Sequence, residues 1–474
     1  MASVRKKPDA AKAKRIAELT KELRELLPEG TFADREVSML ELMAAIQKEL
    51  SRQELQELAD DVPEEVEVKG KTYKRHQCGA VQYYTLAGPV MVVRDTYREV
   101  GVRNGPTIVP LELMVGIAER ATPALARNVV HGYARHDMRT HGEVLLEAHC
   151  SPPPRATLER MAKKLAGAVS ADVSRVEKIA FRREKLPSNA HGVTVGLDRT
   201  SVPMAEALPP EALHAAPQRK RPYVRKPPAP MAVNWRMAYV GTVCLVDEHG
   251  DAIKTYRWAT TAADDPAELT ARMGWQLATI LQQAPHLQTG IVQDGAPEMW
   301  NLMRETLQSL KQRGLVANWL EAIDLPHVME RLGKAFALTR SGLTFLDRWK
   351  TELLEFDSTI DTIEAVLERS LGELEGDDRE LLQEHLTYIA NNKDRMRYAS
   401  LRQCSLPVGS GVTESTAKSV INMRTKRSGQ RWSVEGLRAV LNLRALLKSD
   451  RLGRLWEVFY RRYTRSVTPV PILP

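Results

Sequence analysis

Apolar positions near the start of the chain recur at helical spacing. Charged residues separate four apolar positions within residues 11–27: Ile16, Leu19, Leu23 and Leu26. Residues 38–60 repeat the pattern. Because an apolar residue every three to four positions forms one face of an amphipathic helix, we predict a helical N-terminal region over residues 1–65.

The pattern then changes to that of a small sheet followed by more helices. Residues 66–101 contain β-rich runs separated by Gly-Lys and Gly-Pro pairs, which predict a small antiparallel sheet. Residues 111–185 return to helical spacing, and the SPPP stretch at 151–154 interrupts them. The stretch that follows, RATLERMAKKLAGAVSADVSRVEKIAFRRE, predicts a helix-turn-helix-like pair, so residues 66–185 are predicted to combine a sheet with a helical DNA-binding part.

A third pattern starts at His191. The run HGVTVGLDRTSVPM predicts a strand, and residues 234–261 predict two strands joined through Glu-His-Gly-Asp. A helix, the short apolar strand TGIVQDG and another helix follow. This alternation implies parallel neighbours. The order β-β-β-α-β-α-β-α is that of an RNase H-like fold, in which the first and fourth strands are neighbours.

Residues 340–402 have helical spacing, many acidic residues and no strand pattern, which predicts an all-helical insertion into that fold. The predicted fold class is therefore multidomain α+β and α/β, with an interrupted RNase H-like domain after a helical region and a small sheet. The predicted segments, the last of them a basic C-terminal tail, are 1–65, 66–185, 186–339, 340–402, 403–449 and 450–474.

Composition narrows the class of protein. Of the 474 residues, 43% are hydrophobic and 27% are charged, as in soluble globular proteins. No apolar run approaches the roughly 18 residues needed to span a bilayer, and the basic N-terminus lacks the apolar run of a signal peptide. The four cysteines are widely separated, which favours a reduced cytoplasmic protein over a disulfide framework.

Charge is concentrated near the C-terminus. The chain has 68 basic and 60 acidic residues, but residues 418–465 contain 13 Lys or Arg and 3 acidic residues. Such a region attracts a polyanion such as double-stranded DNA. The alternative is an ordinary solvated helix surface.

Two aspartates end apolar strand runs. Asp198 follows Val193, Val195 and Leu197, and Asp294 follows the Ile-Val pair of TGIVQDG. Aspartate is unfavourable in strands, and the carboxyl ends of strands in α/β sheets form the crevice where ligands bind. If the first and fourth strands are neighbours, the two carboxylates meet. The alternative is two ordinary turn residues.

A third carboxylate, Glu414, follows a Gly-Ser-Gly turn at the start of a predicted helix. Ala417 and Ile421 lie on the flank of the same helical face, which directs Glu414 toward the sheet. Three carboxylates together favour hard cations, and we predict two Mg²⁺ (or Mn²⁺) ions held by Asp198, Asp294 and Glu414. The alternative is a helix N-terminal acid that complements the macrodipole.

The same helix continues into basic residues predicted to hold phosphates: Lys418, Arg424, Lys426, Arg427 and Arg431. Trp432 is a candidate for stacking on a base, although burial is the common fate of tryptophan. Basic residues of the proline-rich loop between the first two strands are further candidates for DNA-backbone contacts: Arg219, Lys220, Arg221, Arg225 and Lys226.

Three stretches of the chain resemble the catalytic blocks of bacterial insertion-sequence DDE transposases of the ISKra family: GLDRTSVPM, QDGAPEMWNL and PVGSGVTESTAKSVINMRTKRSGQRW. The resemblance extends over residues 70–450 and includes the β-rich segment before the catalytic region. It implies that Asp198, Asp294 and Glu414 are the catalytic, metal-binding triad. The family's last block usually has methionine at the position of Gln430, and residues 1–65 match nothing in the family.

Asp324 and His327 form a D-x-x-H pattern, which is similar to the C/D-x-x-H motif of Mutator-like and hAT-type transposases. That resemblance implies a catalytic His327 close to the scissile phosphate. The alternative is a histidine that caps the helix after Pro326.

The resemblance implies cleavage at terminal inverted repeats and strand transfer into target DNA by a homodimer or higher oligomer. It further implies a protein associated with the bacterial nucleoid. Two alternatives stay open: an RNase H-like nuclease or resolvase, and a non-catalytic DNA-binding protein derived from a transposase. A zinc site is a minor alternative, because the spacing of the histidines and cysteines over residues 131–150 fits no zinc finger.

Overall fold

The computed structural model describes residues 10–208, 231–294, 296–340 and 342–470. These residues form a mixed α+β structure. Within them, no helix combines the length and the apolar character that crossing a membrane requires. The strands are β1 (Glu65–Val68), β2 (Lys71–Thr85), β3 (Gly88–Glu99), β4 (Thr107–Ile108), β5 (Gly192–Ala207), β6 (Met231–Val246), β7 (Ala252–Thr260), β8 (Gln288–Gln293), β9 (Leu320–Ile323) and β10 (Thr468–Pro469).

Helices make up most of the remaining described chain. They are α1 (Ala10–Glu25), α2 (Phe32–Asp60), α3 (Pro110–Val115), α4 (Pro123–Arg135), α5 (Met138–Glu147), α6 (Arg155–Phe181), α7 (Pro266–Gln283), α8 (Pro297–Gln312), α9 (Leu325–Ala337), α10 (Leu346–Glu355), α11 (Thr359–Leu371), α12 (Gly376–Asn392), α13 (Tyr398–Gln403), α14 (Gly411–Thr416), α15 (Met423–Thr425), α16 (Val434–Lys448) and α17 (Leu452–Tyr460). A π-helical segment, Ala417–Asn422, connects α14 directly to α15.

The chain divides into two compact units. Unit 1 comprises residues 1–132, 136–165 and 460–474, and unit 2 comprises residues 133–135 and 166–459. The boundaries of the six segments proposed from the sequence stay predictions.

Unit 1 contains an antiparallel sheet with the strand order β10-β1-β2-β3-β4. Helix α2 packs on β3, where Leu55 is buried in a cluster with Tyr83, Val90 and Val92. The predicted helices before this sheet and the antiparallel sheet itself are confirmed. The apolar face of α1 is exposed, since Ile16 is 50% and Leu19 is 41% accessible to solvent.

Unit 2 is built on a mixed sheet with the strand order β7-β6-β5-β8-β9. β5, β6 and β7 are antiparallel neighbours, whereas β5–β8 and β8–β9 are parallel pairs. The expectation that the first and fourth strands of this region are neighbours is therefore confirmed. Five of the six residues of β8 are buried, as expected for a strand between two others with both faces covered.

One expectation about β5 was wrong. Asp198 does not end the first strand, because β5 continues to Ala207 and pairs with β6 along its whole length. The continuation is possible because β6 supplies hydrogen-bond partners beyond the point where β8 stops. Asp198 thus lies within a strand, but beyond the last residue of β5 that pairs with β8, Val195.

The predicted insertion contains α10 to α13 and no strand among its described residues. Its buried side chains, such as Leu353, Leu367 and Leu386, belong to the same hydrophobic cluster as the residues under the sheet. The helical segment therefore packs as part of the core of unit 2.

A half-buried ion-pair network fixes the chain after α6 to the sheet of unit 2. Glu184 accepts hydrogen bonds from Lys254 at 2.7 Å and from Arg451, and Arg451 also donates to Gln276 at 2.9 Å. Arg451 is 4% exposed and stacks 3.8 Å from the Tyr256 ring centroid. Burial raises the pKa of Glu184, but the two cations outweigh burial and the net pKa lies below its usual value.

We expect Glu184→Gln to lower the free energy of unfolding at neutral pH by about 2–3 kcal/mol, because it leaves Arg451 without its carboxylate. A carboxylate whose pKa is lower in the folded state than in the unfolded state stabilises the fold at pH values above its unfolded-state pKa. This contribution is lost as the pH falls through the folded-state pKa. The difference in the free energy of unfolding between the wild type and Glu184→Gln should therefore shrink as the pH falls below about 4.3, the usual pKa of an unfolded glutamate. Denaturant unfolding at a series of pH values measures this, and an unchanged difference at low pH would contradict it.

Candidate active site

The register of the parallel pair brings the two aspartates together. β5 and β8 pair from Gly192↔Gln288 to Val195↔Ile291, and the same register carried three residues further sets Asp198 beside Asp294. The side chain of Gln293 supports this arrangement, since its Oε1 accepts a hydrogen bond from the Leu197 amide at 3.1 Å. The convergence thus follows from strand pairing.

Glu414 reaches the same place from a helix. It lies in the first turn of α14, and the Glu414 amide donates to the Ser410 carbonyl at 3.1 Å. Ser410 occupies the N-cap position without a side-chain cap hydrogen bond; its hydroxyl instead donates to Glu414 Oε1 at 3.3 Å. Thr413, on the same turn, is buried against β6, with its hydroxyl 2.8 Å from that of Thr242.

This helix approaches the sheet at Gly196. A Cβ added to Gly196 would lie 2.6 Å from Thr413 Oγ1 and 2.6 Å from the Val292 carbonyl oxygen. Real Cβ contacts are longer than this, so a side chain here would displace the helix or the strand. The absence of a side chain at Gly196 therefore sets the distance between Glu414 and the two aspartates.

We expect Gly196→Ala to lower the free energy of unfolding by about 1–3 kcal/mol through overpacking and to impair any activity that needs Glu414. Gly79→Ala is the matched control, because Gly79 also lies in a strand and its added Cβ would meet nothing within 4 Å. Denaturant unfolding of both variants checks the prediction, and equal stabilities would show that α14 does not pack as described.

The three carboxylates line one cleft in unit 2, of about 220 Å³. The other polar residues that line it are Arg199, Thr200, His327, Ser410, Thr413, Lys418 and Asn422. Asp198 is half-buried, and Asp294 is exposed at the rim. Carboxylates from three segments far apart in the sequence therefore face one space.

Asp324 connects two parts of this cleft. It is 1% exposed, and its two oxygens have different partners. Oδ1 accepts from the Ser410 amide at 2.9 Å, and Oδ2 lies 2.6 Å from His327 Nδ1. One buried carboxylate thus anchors the start of the Glu414 helix and orients the histidine. Since a carboxylate accepts, the proton of His327 is on Nδ1, and Nε2 is the remaining acceptor.

Burial and neighbouring charges shift the pKa values of two groups in the cleft. Burial raises the pKa of Asp198, and the neighbouring charges of Asp294 and Glu414 raise it further, against the lowering by the Arg199 amide and His327. Burial lowers the pKa of His327, but the hydrogen bond and charge of Asp324, helped by the other carboxylates, produce a net rise. Burial and the neighbouring carboxylates therefore disfavour the charged form of Asp198, whereas the carboxylates favour the protonated form of His327.

The tightest group of possible metal ligands is not the predicted triad. Among the described residues, Asp324, His327 and Glu414 form the one group of three whose ligand atoms lie within 4.8 Å of one another. Both oxygens of Asp324 and Nδ1 of His327 are already used in hydrogen bonds. The group therefore offers His327 Nε2 and the Glu414 carboxylate to a metal ion. Asp198 and Asp294 line the same cleft, but they do not belong to a group of three described residues whose ligand atoms all lie within 4.8 Å of one another.

The predicted phosphate-binding residues separate into two sets. Lys418, Lys426, Arg427 and Arg431 are exposed. Lys418 Nζ is 4.0 Å from Glu414 Oε2, and Lys426 Nζ donates to Thr200 Oγ1 at 2.8 Å. These two lysines thus extend the positive edge of the cleft directly beside the carboxylates.

Arg424 and Trp432 are placed differently from the prediction. Arg424 is 3% exposed, Trp432 is 9% exposed, and the guanidinium lies 4.9 Å from the indole centroid. Trp432 Nε1 donates to the Thr425 carbonyl, and its backbone pairs with Pro203 and Ala205 of β5. Both side chains therefore pack inside the protein and do not present a surface to DNA in this structure.

The remaining candidates are the basic residues of the proline-rich loop and the histidines and cysteines of residues 131–150. Residues predicted in the proline-rich loop lie outside the described residues: Arg219, Lys220, Arg221, Arg225 and Lys226. Within the described chain, the histidines and cysteines of residues 131–150 do not form a group of three with ligand atoms within 4.8 Å. His141 Nε2 instead lies 2.9 Å from Asn128 Oδ1.

Sequence reasoning missed several residues of the cleft: Arg199, Thr200, Ser410 and Asn422. Thr200 and Asn422 have no motif of their own and meet through a 3.3 Å hydrogen bond between segments 222 positions apart. Asn422 ends the π-helical segment, a feature that periodicity does not predict. The D-x-x-H pattern did single out Asp324, but only the tertiary structure shows its hydrogen bonds to the Ser410 amide and to His327.

The comparisons with known proteins are weak. No family model matches the chain, and no curated protein matches it. A structure of the Drosophila P element transposase strand transfer complex has 10% identity and a TM-score of 0.25, covering 72% of this chain and 83% of that chain. A Mos1 transposase paired-end complex with left transposon end has 14% identity and a TM-score of 0.15, covering 58% and 76%. Both neighbours are DNA transposases, but such scores do not establish a shared fold.

Proposed function

We propose that this chain is a DNA transposase of the DDE type, with an RNase H-like catalytic domain in unit 2 that residues 340–402 interrupt. The observation that supports this proposal best is the cleft itself. Asp198, Asp294 and Glu414 come from two neighbouring strands and one helix and line the same space of about 220 Å³. Metal-assisted chemistry on a phosphodiester uses such a set of carboxylates, and a positively charged edge binds the flanking phosphates.

The donor set of the cleft fits a hard divalent cation. Carboxylate oxygens are the ligands that Mg²⁺ or Mn²⁺ prefer, and repulsion from Asp294 and Glu414 helps to raise the pKa of Asp198. Asp198, Asp294 and Glu414 would hold the metal, whereas Asp324 is occupied by its own hydrogen bonds. Two bound ions would supply activation of water or a 3′-hydroxyl and stabilisation of the leaving oxygen.

The other residues of the cleft position the DNA strand. His327 is held through Nδ1 by Asp324, so its Nε2 is available at the cleft to accept a proton or, when protonated, to donate to a phosphate oxygen. Lys418 and Lys426 are exposed beside the carboxylates and bind the phosphates that flank the scissile one. Arg427 and Arg431 extend this basic surface.

The finer assignment rests on the three stretches that resemble ISKra transposases. It adds cleavage at the terminal inverted repeats of an insertion sequence, strand transfer into target DNA, two Mg²⁺ ions per site and a homodimer or higher oligomer. These features are part of the proposal and depend on the resemblance.

Cleavage of DNA from the two flanks of the gene that encodes this chain tests the proposal. The purified chain is incubated with this DNA in Mg²⁺, and in Ca²⁺ as a condition for binding without cleavage. Pre-cleaved ends with free 3′-hydroxyls and a plasmid target then report joining. Nicks at the ends together with joined products support a transposase.

Two other outcomes would replace this function. Nicks without joined products from pre-cleaved ends would indicate a nuclease or resolvase. Binding without cleavage in either metal would indicate a non-catalytic DNA-binding protein.

A further inference from the structure

Unit 2 contains a second polar cavity, away from the cleft of the three carboxylates. Its volume is about 520 Å³, and α8, the start of β9 and the end of the helical insertion line it. The side chains that matter below are Arg304, Lys311, Trp319, Glu321, Arg395 and Arg397. The proposed function uses none of them.

The cavity has an excess of positive charge. Four cationic side chains line it (Arg304, Lys311, Arg395, Arg397), against two carboxylates, Glu321 and Asp394. Glu321 serves two of the cations, since it pairs with Arg304 and lies 3.4 Å from Arg395 Nε. Arg397 is 3.3 Å from Asp394, and Lys311 Nζ donates to the neutral Asn318 amide oxygen at 3.0 Å. The carboxylates therefore leave two positive charges without a counter-charge inside the cavity.

An indole ring beneath the cavity holds two of these cations in place. The guanidinium carbons of Arg304 and Arg395 lie 5.7 Å and 4.8 Å from the ring centroid of Trp300, which is 1% exposed. Burial lowers the pKa of Arg395, and repulsion from Arg304 lowers it further. Glu321 and Asp394 raise this pKa, but by less, so the net pKa lies below its usual value. An anion bound here would relieve that repulsion.

The rim of the cavity adds groups suited to a nucleobase. Trp319 is partly exposed, and its Nε1 donates to Glu321 Oε1 at 3.0 Å, which fixes the plane of the ring. Lys311 Nζ lies 5.8 Å from the Trp319 ring centroid. Asn318 and Asn391 supply side-chain amides at the same cavity. A fixed aromatic face beside cations and amides is the combination that binds one nucleotide of a single strand.

We propose that this cavity binds a nucleotide of single-stranded DNA, with the phosphate on Lys311, Arg395 and Arg397 and the base on Trp319. A single strand fits better than a duplex, because bases inside a duplex do not expose their faces for stacking on a side chain. The choice of DNA as the polyanion rests on the proposed function; the site itself rests on the charges and the aromatic face.

The location suits a strand that leaves the candidate active site. β9 runs from Leu320 at this cavity to Ile323, and Asp324 follows at the cleft of the three carboxylates. The five extended residue steps from Trp319 to Asp324 span about 16 Å. One DNA strand could therefore contact both places, the scissile phosphate in the cleft and a displaced nucleotide in the cavity.

Binding of a short fluorescein-labelled single strand, followed by anisotropy over a salt series, tests the site. The full-length chain carrying Asp198→Asn is used, so that no cleavage intervenes. Lys311→Ala with Arg397→Ala should lower the slope of log affinity against log salt by about 0.7, because these residues hold one phosphate and each neutralised phosphate of a single strand contributes about 0.7. Trp319→Ala should weaken binding at least about fivefold through lost stacking. Trp319→Phe, which keeps an aromatic face, should retain most of the affinity.

Lys350→Ala with Arg379→Ala is the matched control. These substitutions remove two positive charges, as the cavity variant does, but from exposed residues of the helical insertion that lie outside the cavity. Thermal unfolding verifies that each variant is folded.

Wild-type affinity and salt slope in the cavity variants would overturn the proposal, as would an equal loss in the control. Mononucleotide binding that disappears in the variants while strand binding is unchanged would assign the cavity to a free nucleotide and also overturn it. None of these assays measures cleavage, so their outcome is separate from that of the proposed function.

Discussion

Replacing Asp198 with asparagine is expected to abolish cleavage and strand transfer of end DNA, with a loss of about a thousandfold or more. Asp198 is half-buried, and both its burial and the charges of Asp294 and Glu414 act on its pKa. Asparagine has nearly the same shape but cannot supply a charged oxygen to a divalent cation. The initial rate of Mg²⁺-dependent cleavage, measured with saturating DNA, checks this expectation.

DNA affinity should remain the same or increase in Asp198→Asn, because the change removes one negative charge next to a bound phosphate. Asp251→Asn is the control, since Asp251 is an exposed aspartate in the turn between β6 and β7, outside the cleft. It should cleave at the wild-type rate. If Asp198→Asn also cleaves at that rate, the assignment of the triad is incorrect.

Asp324→Asn is expected to have the second-largest effect, because it changes the tautomer of a histidine. The asparagine oxygen can still accept from the Ser410 amide, but its NH₂ group would then face His327 Nδ1. Two donors cannot pair, so His327 would move its proton to Nε2 or rotate away. Either result removes the acceptor from the cleft. We expect cleavage to fall by about 10²–10⁴-fold, the usual contribution of a positioned acid–base group.

The same variant should lower the free energy of unfolding by about 1–3 kcal/mol, because a buried charged acceptor is lost. His327→Gln separates the two effects: it should impair cleavage with little loss of stability, since His327 is exposed. Because Asp324 acts through His327, the double variant should cleave no more slowly than the slower single variant. Additive losses in cleavage would show that Asp324 has a role apart from the histidine.

The sequence predicted the element order of unit 2 because hydrophobic periodicity is a local property. The alternation of strand and helix patterns after His191, and the neighbouring first and fourth strands, were confirmed. Asp198 and Asp294 could be paired from the sequence for the same reason, since both follow apolar runs that belong to adjacent strands. The exact end of β5 could not be predicted, because it depends on the length of its partner β6.

Residues whose role depends on distant neighbours were harder to predict from the sequence. Arg424 and Trp432 belong to a basic stretch, and only their packing against β5 and against each other shows that they are buried. Lys418 and Lys426, from the same stretch, remain at the surface. Charge along a sequence cannot distinguish these cases, because burial depends on what another part of the chain covers.

By itself, the sequence determined the helices and strands, the two strand aspartates, the helix that begins before Glu414 and the basic stretch after it. Each of these follows from spacing over a few neighbouring residues. Only the tertiary structure decided how closely α14 approaches Gly196, which two partners Asp324 holds, and that four cations line one cavity with Trp319. These features join segments tens to hundreds of residues apart, and their geometry is set by packing, which no local pattern records.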